Sequence, residues 1–432
     1  MSVLSAHAIA HAIHNKIFTA QDIAEHTRAW IAQQDPTIDA WAHWDHAQTS
    51  RHTEQYPKGT LAGVPIGIKD IIDTCDYPTT WGSAFHTNRR PKQDAFLIAA
   101  LRKAGAQIIG KTVTTEFAYL APSPTKNPHH PQYSPGGSSS GSAAAVAAGM
   151  VPLAIGTQTN GSMIRPGSYC GVLAFKPSHG SISRTGVLLQ SWPLDTIGIY
   201  ARNLTDIALC TDVIMAYDAN DDAMQETVPC ALGEALQRID KNNKPKIAMV
   251  KTPVWERASA DTKTIFARAQ AKLGAQTLAL PSIFDHAFDA HFTLMMRDMA
   301  RGFAAYDKRD GLSPEMQTMM DIGKEIEDDR YDQARFQRAS CQEELAAIFS
   351  EFDAILTPSA CAEAPRGFAT TGDPCFCTIW SLAGVPSINL PVGLGGNNLP
   401  IGLQLVGAYE QEAKLLQSAD WVLQQFPQHI RT

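Results

Sequence analysis

The pattern of apolar and polar residues changes character along the chain. The first fifty residues have helix-like spacing and no chemically suggestive group, so we predict helices that cover a core. From residue 61, apolar residues alternate with proline and glycine up to Lys69, which is the pattern of a strand. Because a charge ends this run, we predict that Lys69 lies at or near a strand end.

Helical and strand-like segments then alternate. Asp94 is predicted to cap a helix that closes at Gly105, and a strand is predicted over 107–110. Further strands are predicted at 151–155, 246–250, 354–356, 387–390 and 402–406, with helical spacing between most of them. A last helix over 410–426 has an apolar stripe that should pack on the core. This alternation favours an α/β fold in which helices cover a sheet.

The segment from about 214 to 345 is polar, helical in pattern and rich in methionine. Its methionines include Met295, Met296, Met299, Met316, Met319 and Met320. Methionine is adaptable and can line a pocket, but we predict that these residues belong to core helices.

Composition narrows the classes of function. With 44% hydrophobic and 18% charged residues, the chain has the composition of a globular protein. Its formal charge of −7 and the absence of a long basic run argue against nucleic acid as a partner. No signal-like start and no apolar stretch of membrane-spanning length is seen, so we expect a cytoplasmic protein without a membrane partner. The eight cysteines show neither redox nor zinc-ligand spacing, so we expect reduced thiols and no metal.

Two loops rich in glycine and serine carry the candidate chemistry. The first, 135–149, runs into an alanine-rich helix, and its backbone N–H groups suit a developing negative charge. No lysine closes this loop as a phosphate-binding loop requires, which argues against a nucleotide site. The second, 156–162, follows a predicted strand and ends at Ser162, whose hydroxyl would lie beside converging N–H groups.

A serine nucleophile needs a base at neutral pH. The histidines His129, His130 and His179 lie in no recognisable triad motif, so they are weak candidates. Lysine can serve when burial keeps it neutral, because desolvation lowers its pKa from about 10.4 by up to several units.

Five segments together resemble the successive motifs of the amidase signature family. They are Gly-Val-Pro-Ile-Gly-Ile-Lys-Asp at 63–70, the loop and helix at 136–149, the loop at 156–162, Cys-Gly-Val-Leu-Ala-Phe-Lys-Pro at 170–177 and Pro-Ile-Gly-Leu-Gln-Leu-Val-Gly at 400–407. The match is strong over 55–210 and looser over 350–425.

The resemblance implies one large α/β domain over 1–432, a mixed β-sheet sandwiched by α-helices. Its parts would be covering helices at 1–56, the signature core at 57–213, a variable helical region at 214–345 and the C-terminal part of the core at 346–432. It also implies no cofactor, and a homodimer is an expectation from the resemblance alone.

By the same resemblance, Lys69 is the base, Ser138 the proton relay and Ser162 the nucleophile of an acyl-enzyme mechanism. The Gly137–Ser138 peptide bond is expected to be cis. The oxyanion would be held by backbone N–H groups of Thr159, Asn160, Gly161 and Ser162. The substrate would be a small amide.

Three positions depart from the commonest family pattern. Gln158 stands where aspartate is frequent, Asn160 stands where glycine is frequent, and Ile164 stands where arginine is frequent. Arg165 follows instead, as in bacterial malonamidases, where the arginine binds the free carboxylate of the substrate. Arg165 is therefore either a carboxylate clamp that favours amides such as malonamate, or a partner of a structural carboxylate.

Three aromatic residues are candidates for the substrate pocket. Tyr119, Phe376 and Trp380 lie where family members line the acyl pocket, and core packing is an equal alternative for Phe376 and Trp380. Two other roles remain open for the chain: the glutaminase subunit of a tRNA-dependent amidotransferase, and a non-catalytic scaffold of the same fold. The intact Lys69, Ser138 and Ser162 argue against the scaffold.

Overall fold

Helices and strands alternate along most of the chain, as the sequence pattern predicts. The structure is a computed structural model that describes residues 4–44, 55–226, 231–238, 244–307 and 310–426. Its helices are α1 Ala6–His14, α2 Ala20–Ile38, α3 Phe96–Lys103, α4 Ser140–Ala147, α5 Ile164–Cys170, α6 Leu204–Ile214, α7 Leu232–Gln237, α8 Ala260–Leu273, α9 Ala287–Gly302, α10 Pro314–Lys324, α11 Asp328–Glu351, α12 Cys375–Ala383 and α13 Glu412–Gln425. Its strands are β1 Trp41–Trp44, β2 Pro65–Lys69, β3 Gln107–Thr112, β4 Leu153–Gln158, β5 Leu173–Lys176, β6 Thr196–Ala201, β7 Ile247–Val250, β8 Gln276–Leu278, β9 Ala354–Pro358, β10 Ser387–Leu394 and β11 Pro400–Val406.

The strands form one mixed sheet. Their order within the described residues is β1-β3-β2-β4-β6-β5-β10-β11-β9-β7-β8. Strand β2 is parallel to β3 and β4, strand β7 is parallel to β8 and β9, and the remaining pairs are antiparallel. The predicted mixed sheet is therefore confirmed.

Helices cover both faces of this sheet because successive residues of a buried strand point to opposite sides. In β4, Leu153 and Ile155 pack in the apolar cluster that contains Leu415 of α13. The intervening Ala154 packs in a different cluster, with Ala143 of α4. The sheet is thus sandwiched between helical layers, as expected.

Several element predictions need correction. The N-terminal segment contains strand β1 in addition to its two helices, and strands β5, β6 and β8 were not predicted. The Asp94 cap is wrong: the N-cap of α3 is Ala95, which makes no side-chain cap bond. The Asp94 carboxylate instead accepts from the Cys75 backbone N at 2.8 Å and from Arg102 Nε at 2.9 Å, so it ties a loop to the helix.

The methionine-rich segment forms core helices, as predicted. Met296 and Met299 of α9 are buried against methionines of α10 and against Phe117 and Phe303. Met295 is partly buried beside them. None of the helices in the described ranges is both long and apolar enough to cross a membrane.

Candidate active site

Parallel strands bring the candidate residues to one edge of the sheet. Lys69 is the last residue of β2, as its pattern predicts, and the 159–162 loop follows the neighbouring parallel strand β4. The carboxyl ends of parallel neighbours lie at the same edge. Ser138 lies just before α4, and the Gly137–Ser138 peptide bond is cis, as the resemblance implies.

Lys69 is fully buried and its amine points at Ser138. Its Nζ donates to Ser138 Oγ at 2.8 Å and to Thr157 Oγ1 at 2.7 Å. Burial lowers the pKa of Lys69 well below its usual value, and the nearby Asp195 carboxylate partly opposes this by raising it. The site can therefore hold a neutral amine next to a hydroxyl, which is what a lysine base requires.

The backbone around Ser162 is held from both sides. Gln158 Oε1 accepts from the backbone N of Met163 at 2.8 Å and of Ile164 at 3.0 Å. Tyr200 Oη donates to the carbonyl oxygen of Ser162 at 3.0 Å. In contrast, no hydrogen bond joins the Ser162 and Ser138 side chains within the described residues, so the predicted relay lacks its last hydrogen bond. Such links often tighten only with substrate bound.

The loop before Ser162 presents backbone donors. Within the described part of the chain, the N–H groups of Asn160, Gly161 and Ser162 donate to no acceptor. The Asn160 carbonyl oxygen accepts from the Ser381 hydroxyl, and Asn160 Oδ1 accepts from Thr378 Oγ1 at 2.8 Å. Both oxygen atoms of Asn160 are thus hydrogen-bonded, while the three N–H groups remain available for an oxyanion.

A second set of residues, which sequence reasoning missed, fixes Thr159. The Thr159 hydroxyl contacts Gln190 Oε1 and Asp195 Oδ1, at 2.6 and 2.5 Å. His291 of α9 lies 3.0 Å from the Thr159 carbonyl oxygen through Nε2. Burial raises the pKa of Asp195 to about 6 and lowers that of His291 to about 4. These residues lie 31 to 132 positions from Thr159, so no local motif marks them.

Arg165 lies beside the Gly137–Ser138 peptide and has no acidic partner among the described residues. Its Nη2 donates to the Gly137 carbonyl oxygen at 2.6 Å and to Thr371 Oγ1 at 3.1 Å. The side chain is buried, and its Nε has no hydrogen-bond partner. Among the described residues it forms no ion pair, so the structural carboxylate that sequence reasoning left open is not found there.

The three aromatic candidates differ in burial and in the residues they pack against. Tyr119 is half-buried, its hydroxyl is 3.7 Å from Met296 Sδ, and burial raises its pKa to about 12. Phe376 and Trp380 are both fully buried and pack in two different apolar clusters. This placement favours the core-packing alternative for both.

Two groups of possible metal ligands occur in the described ranges. One contains Cys361, Asp373 and Cys375, and the other contains Cys75, Asp76 and Asp94. Neither contains a residue of the Lys69, Ser138 and Ser162 set.

Comparison with known proteins identifies the family. The family model described as Amidase matches residues 22–416. The A subunit of glutamyl-tRNA(Gln) amidotransferase from Agathobacter rectalis is 31% identical over 405 residues, which cover 84% of this chain and 80% of that protein. The solved structure of the same kind of subunit from Thermotoga maritima has a TM-score of 0.81 at 27% identity, covering 94% of this chain and 92% of its own. Peptide amidase from Stenotrophomonas maltophilia shares the fold, with a TM-score of 0.84 at 24% identity over 99% of this chain and 97% of its own.

The chain therefore belongs to the amidase family. It is an amidase, a hydrolase that acts on amide carbon–nitrogen bonds.

Proposed function

We propose that the amidase reaction of this chain uses Ser162 as nucleophile, Ser138 as relay and Lys69 as base. The observation that carries this proposal is the 2.8 Å hydrogen bond between Lys69 and Ser138 in a buried site that favours a neutral amine. Lys69 takes the Ser138 proton, and Ser138 takes that of Ser162 as its Oγ attacks the amide carbon. The oxyanion binds the N–H groups of the 159–162 loop.

The second half of the reaction uses the same groups in reverse. The relay protonates the leaving nitrogen, so the carbon–nitrogen bond breaks and an acyl-enzyme remains on Ser162. Water gives a proton to the relay and attacks the acyl carbon, which releases the acid and restores the serine hydroxyl.

Substitution of the base tests this assignment. Lys69→Ala should reduce kcat/KM by about 10²- to 10⁴-fold, the usual contribution of a general base. Lys176→Ala is the matched control, because Lys176 is equally buried but donates to the carbonyl oxygens of Val385 and Pro177. Circular dichroism establishes that both variants are folded. Equal losses in the two folded variants would remove Lys69 from the mechanism.

For the substrate, we propose a short amide that carries a free carboxylate, with malonamate as the test compound. The supporting observation is that Arg165 is buried beside Gly137, without an acidic partner in the described ranges and with an unpaired Nε. A guanidinium in this state is suited to a carboxylate that the substrate brings. The relatives named above do not include a malonamate-hydrolysing enzyme, so this part rests on Arg165.

A second candidate is the glutaminase role. It is favoured by the similarity to the A subunit of glutamyl-tRNA(Gln) amidotransferases. Glutamine is itself an amide with a free carboxylate, so Arg165 is compatible with it as well. This role would require partner subunits, whereas the first candidate would work as a cytoplasmic enzyme, alone or as a homodimer.

Ammonia release from a panel of amides separates the candidates. The panel is malonamate, glutamine, and neutral aliphatic and aryl amides, with Ser162→Ala as the inactive control. Preference for malonamate that disappears in Arg165→Ala supports the clamp. Preference for neutral amides makes Arg165 structural, and glutamine turnover that needs co-purifying subunits supports the glutaminase role. Unaltered turnover in Ser162→Ala would overturn the nucleophile assignment.

A further inference from the structure

Three metal-ligating side chains converge outside the amidase site. The Sγ atoms of Cys361 and Cys375 and a carboxylate oxygen of Asp373 all lie within 4.8 Å of one another. The two sulfur atoms are 3.4 Å apart. We call these three residues the thiol cluster.

The backbone holds each member of the thiol cluster in place. Cys361 follows β9, and its carbonyl oxygen accepts from the backbone N of Ser259 at 2.7 Å. Cys375 is the first residue of α12, and its backbone N donates to Asp373 Oδ1 at 3.0 Å. The ligand atoms are therefore brought together before anything binds, which reduces the ordering cost of binding.

We propose that the thiol cluster binds a thiophilic divalent cation of the Zn²⁺ class. Two thiolates on a tetrahedral Zn²⁺ each lie about 2.3 Å from the metal, which sets them about 3.8 Å apart. The observed 3.4 Å requires an opening of about 0.4 Å for this geometry. A disulfide would need the sulfurs to close to about 2.05 Å, a larger movement of two anchored segments. The spacing therefore favours the metal.

The thiol cluster can supply the anionic ligands that such a cation requires. Each thiol gives up its proton to solvent when the metal binds, as thiolate ligation requires. Asp373 is paired with Arg257, whose side chain is largely exposed and can move aside or remain bonded to the second oxygen.

The surroundings are also appropriate for a closed metal site. Cys361 and Cys375 pack in an apolar cluster with Phe376, Ala258 and the partly buried Trp255. Cys361 itself is half-buried, which gives the cation access. The cluster supplies three ligands, and water can take the fourth tetrahedral position.

Binding here would act on the amidase site through a short segment. Thr371 accepts from Arg165, and Pro374 packs so closely on Gly161 that an added methyl there would lie 2.8 Å from Pro374 Cβ. Both residues are within four positions of Cys375. A bound cation would therefore fix the segment that supports the 159–162 loop.

Cobalt spectroscopy on the full chain tests the proposal. Co²⁺ is added to reduced wild-type protein and to the folded variants Cys361→Ser, Cys375→Ser and Cys377→Ser. Cys377 is the matched control, because it is buried two positions away and donates to the Ser359 carbonyl oxygen instead. We expect the sulfur-to-cobalt charge-transfer band in wild type and Cys377→Ser, and its loss in the other two. Asp373→Asn should weaken Co²⁺ binding by at least about tenfold.

Metal content and the Co²⁺ spectrum of the wild-type protein test the proposed site even where a variant fails to fold. About one equivalent of Zn²⁺ per chain, retained after dialysis and displaced by Co²⁺ with the thiolate band, supports the site. Absence of the band in reduced wild-type protein would overturn it, as would a band that persists in folded Cys361→Ser. Mass spectrometry that finds a Cys361–Cys375 disulfide and no bound metal in freshly isolated protein would also overturn it.

Discussion

Two features of its surroundings set the pKa of the Lys69 amine. Burial disfavours the ammonium form and lowers the pKa, whereas the Asp195 carboxylate favours that form and raises it. Burial is the larger effect, so the pKa lies well below its usual value. Because the proposed mechanism requires the neutral amine, activity should rise with pH as Lys69 loses its proton.

Removing the Asp195 charge should move this titration. In Asp195→Asn, Lys69 loses an opposite charge, so its pKa falls further and the rising limb of the kcat/KM profile shifts to lower pH. The amide oxygen of asparagine can still accept from Thr159 or from the backbone N of Gln190 and Ser191, so much of the loop support is kept. The measurement is kcat/KM against pH for both proteins.

A buried carboxylate elsewhere provides the control for this shift. Asp206→Asn changes the residue that accepts from the backbone N of Ala6 and His7 at the start of α1. We expect its pH profile to match that of the wild type. A rising limb that stays in place in Asp195→Asn would show that Lys69 is not the group that titrates.

At the residue scale, the sequence points to groups that lie in motifs and misses those that only folding brings together. A strand end and a glycine–serine loop mark the segments of Lys69 and Ser138, and the family resemblance supplied their predicted roles. Thr157, Asp195 and His291 were missed because each lies in an ordinary stretch of sequence. Their importance comes from the hydrogen bonds that they make to Lys69 or Thr159.

At the scale of elements, the loop between β4 and α5 depends on Gln158. Its Oε1 accepts two backbone N–H groups and its Nε2 donates to Ser381 Oγ at 2.9 Å. In Gln158→Ala these buried groups lose their partner, at a cost of about 1–3 kcal/mol each. For the two backbone N–H groups we expect a free energy of unfolding lower by about 2–6 kcal/mol, measured by urea denaturation, together with reduced kcat.

An exposed glutamine serves as the comparison for this variant. Gln132 is exposed and contacts Arg366 at the surface, so Gln132→Ala should change the free energy of unfolding by less than about 0.5 kcal/mol. If Gln158→Ala were as stable and as active as Gln132→Ala, the two hydrogen bonds would not support the loop.

Helix α4 also depends on a close backbone approach. A methyl group on Gly141 would lie 2.2 Å from the Ala40 carbonyl oxygen and 2.4 Å from the Val113 backbone N. Backbone atoms cannot move aside as a flexible side chain can, so Gly141→Ala should lower the free energy of unfolding by at least about 1–3 kcal/mol. It should also displace the start of α4 beside Ser138.

A glycine without neighbours is the matched control for Gly141. Gly302 ends α9, and nothing lies within 4 Å of a methyl group added there. Gly302→Ala should therefore be neutral or stabilising by up to about 1 kcal/mol, since alanine restricts the unfolded chain. Similar urea midpoints for the two alanine variants would contradict the steric argument.

Two of the missed strands, β8 and β1, differ physically from the predicted ones. The predicted strands β2, β4 and β11 are buried and rich in apolar residues, so the pattern finds at least half of each, although β5 and β6 are equally buried and were missed. Strand β8 is three residues long and largely exposed at the sheet edge, and β1 is a short edge strand. Such strands form because a neighbour offers hydrogen bonds, which a local pattern does not contain.

At the scale of the whole molecule, the strand order could not be read from the hydrophobic pattern. Strand β10 lies between β5 and β11 in the sheet, so segments that are more than 200 residues apart in sequence are hydrogen-bonded neighbours. Alternating helices and strands predicted the α/β class, whereas the sandwiched mixed sheet came from the family resemblance.

Stability of the whole molecule should fall as the solution becomes acidic. Burial lowers the pKa of His179 to about 3 and that of His291 to about 4, from 6.5. Below pH 6.5 the unfolded chain therefore binds protons that the folded chain does not, and the free energy of unfolding decreases. Asp195 opposes this between pH 3.8 and about 6, because its raised pKa makes the folded state bind the proton.

The variant His291→Gln tests the contribution of the His291 imidazole to this pH dependence. A glutamine amide can still donate to the Thr159 carbonyl oxygen, but it does not titrate, so the variant should lose less stability as pH falls. Between pH 6.5 and about 4, the wild-type free energy of unfolding should fall more steeply than that of the variant, by up to about 1.4 kcal/mol per pH unit. Urea denaturation at a series of pH values measures both slopes. Parallel slopes would mean that His291 is protonated equally in the folded and unfolded states, and the hydrogen bond to Thr159 would then not depend on a neutral ring.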